Sequence, residues 1–352
     1  MGSKKNSKIK VGFSVGDLNG IGMEIILKTL EDSRICELCT PIVYGSKRLT
    51  NYYAKAFNLK NLNINYIDKL ENVKTNKVNV LNVWEEEVNI NAGEADPTSG
   101  SYAYKSLKAL AEDVKAGNID AMVTAPINKK VIQSADFDFP GHTEFLQSID
   151  KAEDSLMLML SEEVRIGVVT GHIPLGEVSK QINTDLILKK ITLLNKSLKE
   201  DFAIRKPKIA VLGLNPHAGD NGLLGSEEIE IIEPAIKQAK SIEILAFGPY
   251  PADGFFGSAK HKNYDGILAM YHDQGLIPAK QFSFGEGVNF TAGLSIVRTS
   301  PDHGTAFEIA GEGIADEGSF RNALYRAIDI VNNRKMKEDL EADALEINKN
   351  RS

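Results

Sequence analysis

The chain has 352 residues, of which 42% are hydrophobic and 25% charged, and its formal net charge is −7. That composition supports a sizeable globular core, divided into two or so units at roughly 100–200 residues each. It argues against a membrane span, because no apolar stretch approaches the ~20 residues required, and against a nucleic-acid partner, because no long basic run is present.

The start, "MGSKKNSKIK", has no apolar signal-peptide core. Asn6 stands where a myristoylation signal needs Ser or Thr. This segment reads as the frayed N-terminus of a cytoplasmic protein. "IKVGFSV" (9–15) reads as a strand broken by Gly16, "GMEIILKTLED" (22–32) as a helix and "TPIVYG" as a second strand. The loop "GDLNGIGME" has glycines at 16, 20 and 22, which is neither G-x-G-x-x-G nor a P-loop, so any nucleotide is bound by another scheme. Cys36 and Cys39 are spaced C-x-x-C. A redox pair of this spacing usually opens a helix after a strand, whereas "RICELCTPIVYG" ends a helical pattern, so the two read as a reduced cytosolic pair.

Residues 60–95 are rich in Asn, Lys and Glu and read as an excursion from the main pattern, with weak strands in "LNINYI" and "KVNVLNV". "SYAYKSLKALAEDVKAG" (101–117) is a helix stopped by Gly117. "IDAMVTAP" (119–126), "VRIGVVTG", "KIAVLGLN", "YDGILAMY" and "GLSIVRTS" read as buried strands. Helices are expected over 184–199, 226–240 and 319–334, the second kinked or split by Pro234. Strand–loop–helix alternation gives an α/β fold with helices covering a largely parallel sheet.

Histidine is rare, at six residues. His172, His217 and His272 each end an apolar run and open a Gly/Pro-rich loop. Ligands in open α/β sheets bind outside the carboxyl ends of the strands. Three neutral imidazoles suit zinc or another divalent metal with one position open; alternatively, each bonds only loop backbone. His142, in "FPGHTEFL", starts a helix, where backbone N–H groups favour an anion. His303 lies in a loop after a strand, and His261 reads as surface. Lys280 and Arg298 sit in the same kinds of loops and could hold a phosphate or carboxylate, or be solvated charges.

Taken together, the stretches "GDLNGIG", "VTAPINK", "FPGHTEFL", "TGHIPL", "LNPHAGDNGLLGSEE", "YHDQGLIPAK" and "NFTAGLSIVRTSPDHGTAFEIAG" resemble the 4-hydroxythreonine-4-phosphate dehydrogenase family of pyridoxal phosphate biosynthesis. They run in order from residue 16 to 311. The resemblance implies an α/β, two-domain isocitrate/isopropylmalate dehydrogenase-like fold with a cleft between the domains. Residues 8–133 plus 285–340 would form the domain carrying much of the NAD site, and 134–284 the domain carrying metal ligands and the dimer interface. It places the metal ligands (zinc, magnesium or cobalt) on His172, His217 and His272, and substrate contacts on His142, Thr143, Lys280, Asn289 and Arg298. "HGTAFEIAG" looks like an adenosine-binding loop, with His303, Gly304, Thr305 and Ala306 at the NAD (or NADP).

The implied active site spans a homodimer interface, with His272 expected from the second subunit. The candidates for acid–base roles are Lys280, Asp253 and Asp273; an aspartate beside a ligand histidine is often only orienting. Two departures stand out. Leu18, Asn19 and Met23 replace Pro, Ala and Pro in the family's first loop, and Gly254 stands where a threonine is common. Both leave room for a paralogue acting on threonate or erythronate 4-phosphate. A metal-dependent aldolase or hydrolase would bind no NAD, and a non-catalytic binding protein would hold the phosphate ester without turnover.

Overall fold

The structure is a computed structural model and describes residues 8–133 and 137–343. Twelve strands form one sheet: β1 (Lys10–Ser14), β2 (Thr40–Gly45), β3 (Ile64–Ile67), β4 (Val78–Asn82), β5 (Ala121–Thr124), β6 (Leu156–Leu160), β7 (Arg165–Val168), β8 (Lys208–Leu212), β9 (Leu245–Tyr250), β10 (Gly266–Ala269), β11 (Val288–Ala292) and β12 (Val297–Pro301). Their order is β3-β4-β2-β1-β5-β12-β11-β6-β7-β10-β8-β9. From β3 to β12 the neighbours are parallel. β11 runs antiparallel to both β12 and β6, and β6 antiparallel to β7. From β7 to β9 the pairing is parallel again. The strands of 8–133 and 285–340 thus occupy one contiguous side of the sheet and those of 134–284 the other. We propose that the domain division falls between β11 and β6.

The near-continuous apolar runs follow from this arrangement, because the central strands are covered on both faces while the edge strands β3 and β9 stay partly exposed. All six residues of β2 and all four of β5 and β10 are buried. The helix Pro97–Lys115 is N-capped by Asp96, whose side chain accepts from Thr98 N, and buries Leu107, Leu110 and Val114. The helix Gly318–Ala342 buries Phe320, Leu324 and Val331, with Phe320 5.9 Å from Phe13 of β1. Each such side chain contributes on the order of 1.5–3 kcal/mol of burial.

Several sequence expectations are corrected. The 60–95 excursion is part of the main sheet, since β3 and β4 form its edge. His272 opens a helix, His272–Ser283, not a loop. His261 is 3% exposed, not surface; it packs on Phe282 with ring centroids 4.6 Å apart. The expected helix over 226–240 is a π-helical turn, Glu228–Ile232, followed by the helix Glu233–Ser241, with Pro234 in its first turn, where its missing N–H is harmless. The last helix extends to Ala342, beyond the expected 334.

Candidate active site

Register places the cleft. Side chains two apart on a strand share a face, and directly paired antiparallel residues do too. Asn289 of β11 pairs with Ser300 of β12 and with Met159 of β6. Arg298, Ser300, Asn289, Thr291, Met157 and Met159 therefore project from one face. All but Thr291 line a cleft of about 380 Å³, and Thr291 bonds the cleft's Arg298. Around them stand Thr124 at the end of β5, His142 and Thr143 opening the helix His142–Asp150, His172 after β7, and His272, Leu276 and Lys280 along one face of the helix His272–Ser283.

Arg298 is the dominant feature. It is 4% exposed. Its Nε and Nη2 donate to Thr124 Oγ1 (3.1 and 2.8 Å) and its Nη1 to Thr291 Oγ1 (3.3 Å). Nη2 also lies 3.4 Å from His142 Nδ1. No carboxylate pairs with it among the described residues, and burial lowers its pKa to about 10. Lys129 also lines the cleft, and no ion pair is found for it among the described residues. Lys280 Nζ meets Asp302 Oδ2 at 3.0 Å. With Glu144, three cations face two carboxylates, so the cleft favours an anion.

Among the described residues, three buried polar atoms lining the cleft have no hydrogen-bond partner: His142 Nε2, Asn289 Oδ1 and His303 Nε2. Leaving such atoms unpaired costs about 1–3 kcal/mol each, which a bound polar ligand would offset. Burial holds the His142 pKa well below its usual range, and Arg298 and Lys129 add to this. The His172 pKa is lowered by burial, then by Lys129 and His272. Both shifts favour the neutral ring, the form in which an imidazole nitrogen can ligate a metal or accept a hydrogen bond.

The three strand-end histidines are not brought together in one chain. The His172 and His272 rings are 5.4 Å apart. His272 Nδ1 bonds Asp273 Oδ1 at 2.7 Å, which leaves Nε2 outside that bond, and His272 lines the cleft. His217 lies exposed and outside the cleft lining. Among the described residues no three His, Cys, Asp or Glu side chains are grouped to hold a metal ion. Within one chain, then, His272 stands beside His172 and His217 stands apart. His217 opens a turn in which residues 217–221 all have positive φ: 53°, 51°, 81°, 43° and 54°. Each L-residue there costs roughly 1–2 kcal/mol, and strain of this kind collects at functional sites. Exposed Leu223, Leu224 and Ile229 follow it.

His303 and Gly304 line the cleft's edge. The next residue, Thr305, packs on the glycine loop: Ile21 N donates to Thr305 O at 3.1 Å, and a Cβ on Gly20 would come within 2.9 Å of that oxygen. Ala306 turns with φ 44°. Asp253 is exposed on the helix Ala252–Gly257, outside the cleft. The sequence reading missed Thr124 and Thr291, which hold Arg298, and Lys129, Glu144 and Asp302. Hydroxyls inside two otherwise apolar strands were the available signal. The cysteines lie far from this chemistry in character: both are free, and burial pushes the Cys39 thiol up to about 12.

The fold is similar to that of an isocitrate dehydrogenase from Methylococcus capsulatus, which superposes with a TM-score of 0.50 at 13% identity over 95% of this chain. The chain belongs to the family described as pyridoxal phosphate biosynthetic protein PdxA, whose model matches residues 37–327. It is 47% identical to a 4-hydroxythreonine-4-phosphate dehydrogenase of Bacteroides thetaiotaomicron, over 94% of this chain and 91% of the relative. An Oceanobacillus iheyensis relative, provisionally named a D-threonate 4-phosphate dehydrogenase, is 38% identical over 91% of this chain and 97% of its own length. The crystal structure of 4-hydroxythreonine-4-phosphate dehydrogenase from Klebsiella pneumoniae superposes with a TM-score of 0.80 at 32% identity, covering 92% of this chain and all of that one.

Proposed function

We propose that the chain is an NAD-dependent, divalent-metal-dependent dehydrogenase of 4-phosphooxy-L-threonine, with NADP as a possible substitute for NAD. It oxidises the C3 hydroxyl to give 2-amino-3-oxo-4-phosphooxybutanoate, which loses carbon dioxide to give 3-amino-2-oxopropyl phosphate. The observation that carries this reading is the buried, carboxylate-free Arg298 beside the unpartnered His142 Nε2 and Asn289 Oδ1, all on one cleft wall. A phosphorylated amino acid supplies the anion and polar groups that these atoms lack. In this reading Arg298, His142, Thr143, Asn289 and Lys280 bind and orient the substrate. Met157 and Met159 exclude water beside the reacting carbon. Lys280 or Asp273 takes the hydroxyl proton, Asp273 acting through its contact with His272; Asp253, outside the cleft of one chain, would reach it only from a second copy. The loop His303–Ala306 takes the adenosine half of the dinucleotide.

A divalent ion (zinc, magnesium or cobalt) would act as a Lewis acid on the hydroxyl and later on the enolate oxygen. The residues fit such an ion: His172 and His272 are adjacent and the first is held neutral by burial. His217 would complete the set from a second copy of the chain, whose docking would cover Leu223, Leu224 and Ile229. The working form is then a homodimer with the site at its interface. No helix among the described residues is long and apolar enough to cross a membrane, and we place the enzyme in the cytoplasm. The test is NADH formation from 4-phosphooxy-L-threonine with and without a chelator. D-threonate and D-erythronate 4-phosphate run in parallel. A higher kcat/KM on either sugar acid would replace the substrate, and binding without turnover would end the enzymatic reading.

A further inference from the structure

We infer that Glu228 is the positioning residue for His217: its buried carboxylate is the template on which the left-handed turn carrying that imidazole is built. The inference rests on the reading of His217 as an ion ligand. Glu228 is 2% exposed, and no Lys, Arg or His pairs with it among the described residues. A buried carboxylate without a cation must be satisfied by hydrogen bonds. Here they come from the segment leading into His217. Glu228 Oε1 accepts Leu214 N and Asn215 N, both at 2.7 Å. Oε2 accepts Asn215 Nδ2 at 2.9 Å, and the same amide donates to Glu227 Oε2 at 2.7 Å.

These are the last two backbone N–H groups before the turn, because Pro216 has none. Past His217 the chain curls back around the same carboxylate. A Cβ on Gly213 would lie 3.0 Å from Oε1, and one on Gly219 2.7 Å from Oε2. The carboxylate is therefore gripped between the two ends of a turn that runs through consecutive positive φ angles at His217, Ala218, Gly219, Asp220 and Asn221. Glu228 itself opens the π-helical turn Glu228–Ile232, an irregularity often found at functional sites. A further tie links this turn to the cleft: Gln274, in the first turn of the His272 helix, donates from Nε2 to Gly213 O at 2.6 Å and accepts Met270 N at 2.7 Å. Among the described residues no hydrogen bond or ion pair joins Glu228 to the His217 ring, so it acts through the backbone.

Glu228→Gln retains shape but sets an amide NH2 group against donors it cannot satisfy. Partners that orient metal ligands typically control affinity by about 10- to 100-fold. The experiment measures Zn²⁺ affinity of the folded full-length protein by competition with a chromophoric chelator, alongside the Co²⁺ visible spectrum. Glu228→Gln is expected to weaken Zn²⁺ binding at least about tenfold and to shift the Co²⁺ bands, while the affinity for phosphate ester in metal-free protein moves less than about twofold. Glu228→Asp, which retains charge and loses reach, gives the same reading should the glutamine variant not fold. His217→Ala is the reference: unchanged Zn²⁺ affinity there removes the ligand reading itself. Weaker binding in His217→Ala with wild-type affinity in both Glu228 variants overturns the positioning role alone, and so does a lowered Tm with unchanged Zn²⁺ affinity.

Discussion

Replacing Arg298 by methionine should make the unliganded protein more stable and its substrate complex weaker. Burial brings the guanidinium pKa down to about 10, against an ordinary value of ~12.5 or more. At about 1.4 kcal/mol per pKa unit, holding the charge there costs ~3 kcal/mol. Two threonine hydroxyls accept from it and return roughly half of that. Methionine, similar in length and adaptable in shape, fills the space without the charge. The expected gain is ~1–2 kcal/mol, a rise in Tm of roughly 2–4 °C. The same change removes a charge-assisted grip on the substrate's anionic group, worth about 1.5–3 kcal/mol, so substrate Kd should rise about ten- to hundredfold. Differential scanning calorimetry and titration calorimetry on one preparation measure both. NAD affinity is the control and should hold. A lower Tm together with a substrate Kd within about twofold of wild type would show Arg298 to be a structural cation and would refute the reasoning.

Mixing variants tests which histidine crosses between subunits: with His172 and His272 in one cleft, His172→Ala mixed with His217→Ala should regain part of the activity, and His172→Ala mixed with His272→Ala should not. The reverse pattern after proven subunit exchange would return His272 to the partner. His261→Phe should stabilise the protein by about 1–2 kcal/mol, because both ring nitrogens are buried without a hydrogen-bond partner between Phe256 and Phe282. Burial lowers the folded pKa of this ring, so the unfolded chain takes up its proton first; this contribution to stability is present above pH ~6.5 and is lost as the pH falls below it. The Phe variant should therefore show a shallower loss of Tm from pH 7 to 5, and parallel curves would contradict this. Asn19→Ala should cost about 1–2 kcal/mol, since its side chain donates to Glu94 O (2.9 Å) and accepts Asn91 N (3.0 Å), tying residues 91–94 to the glycine loop; an unchanged Tm would argue against that tie.

How much of this could be read from the sequence depended on how local the cause was. Nine strands, two of them weakly, and the long helices were legible because each carries its own local pattern, and several their own stop, such as Gly117 with φ 77° after the helix Pro97–Lys115. β6, β9 and β11 were not. "LMLML" has no alternation and could equally belong to a helix, and "VNFTA" owes its strand conformation to two antiparallel partners distant in sequence. That loss matters for the site, because β6 and β11 supply the part of the cleft wall beside Arg298. The rare residues at strand ends could be named in advance, yet their environments could not. Whether Arg298 is a surface charge or a buried anion grip is decided by Thr124, 174 positions away, and by Thr291, which faces it only because β11 runs against β12. His261 shows the same limit in reverse: flanked by lysines, it reads as surface, and Phe256 and Phe282, on two other helices, pack against it. The chemistry of this chain is therefore written locally in residue type and non-locally in register. The three imidazoles follow the same logic: residue type named them, but only the fold shows that His172 and His272 meet and that His217 stands on an exposed turn.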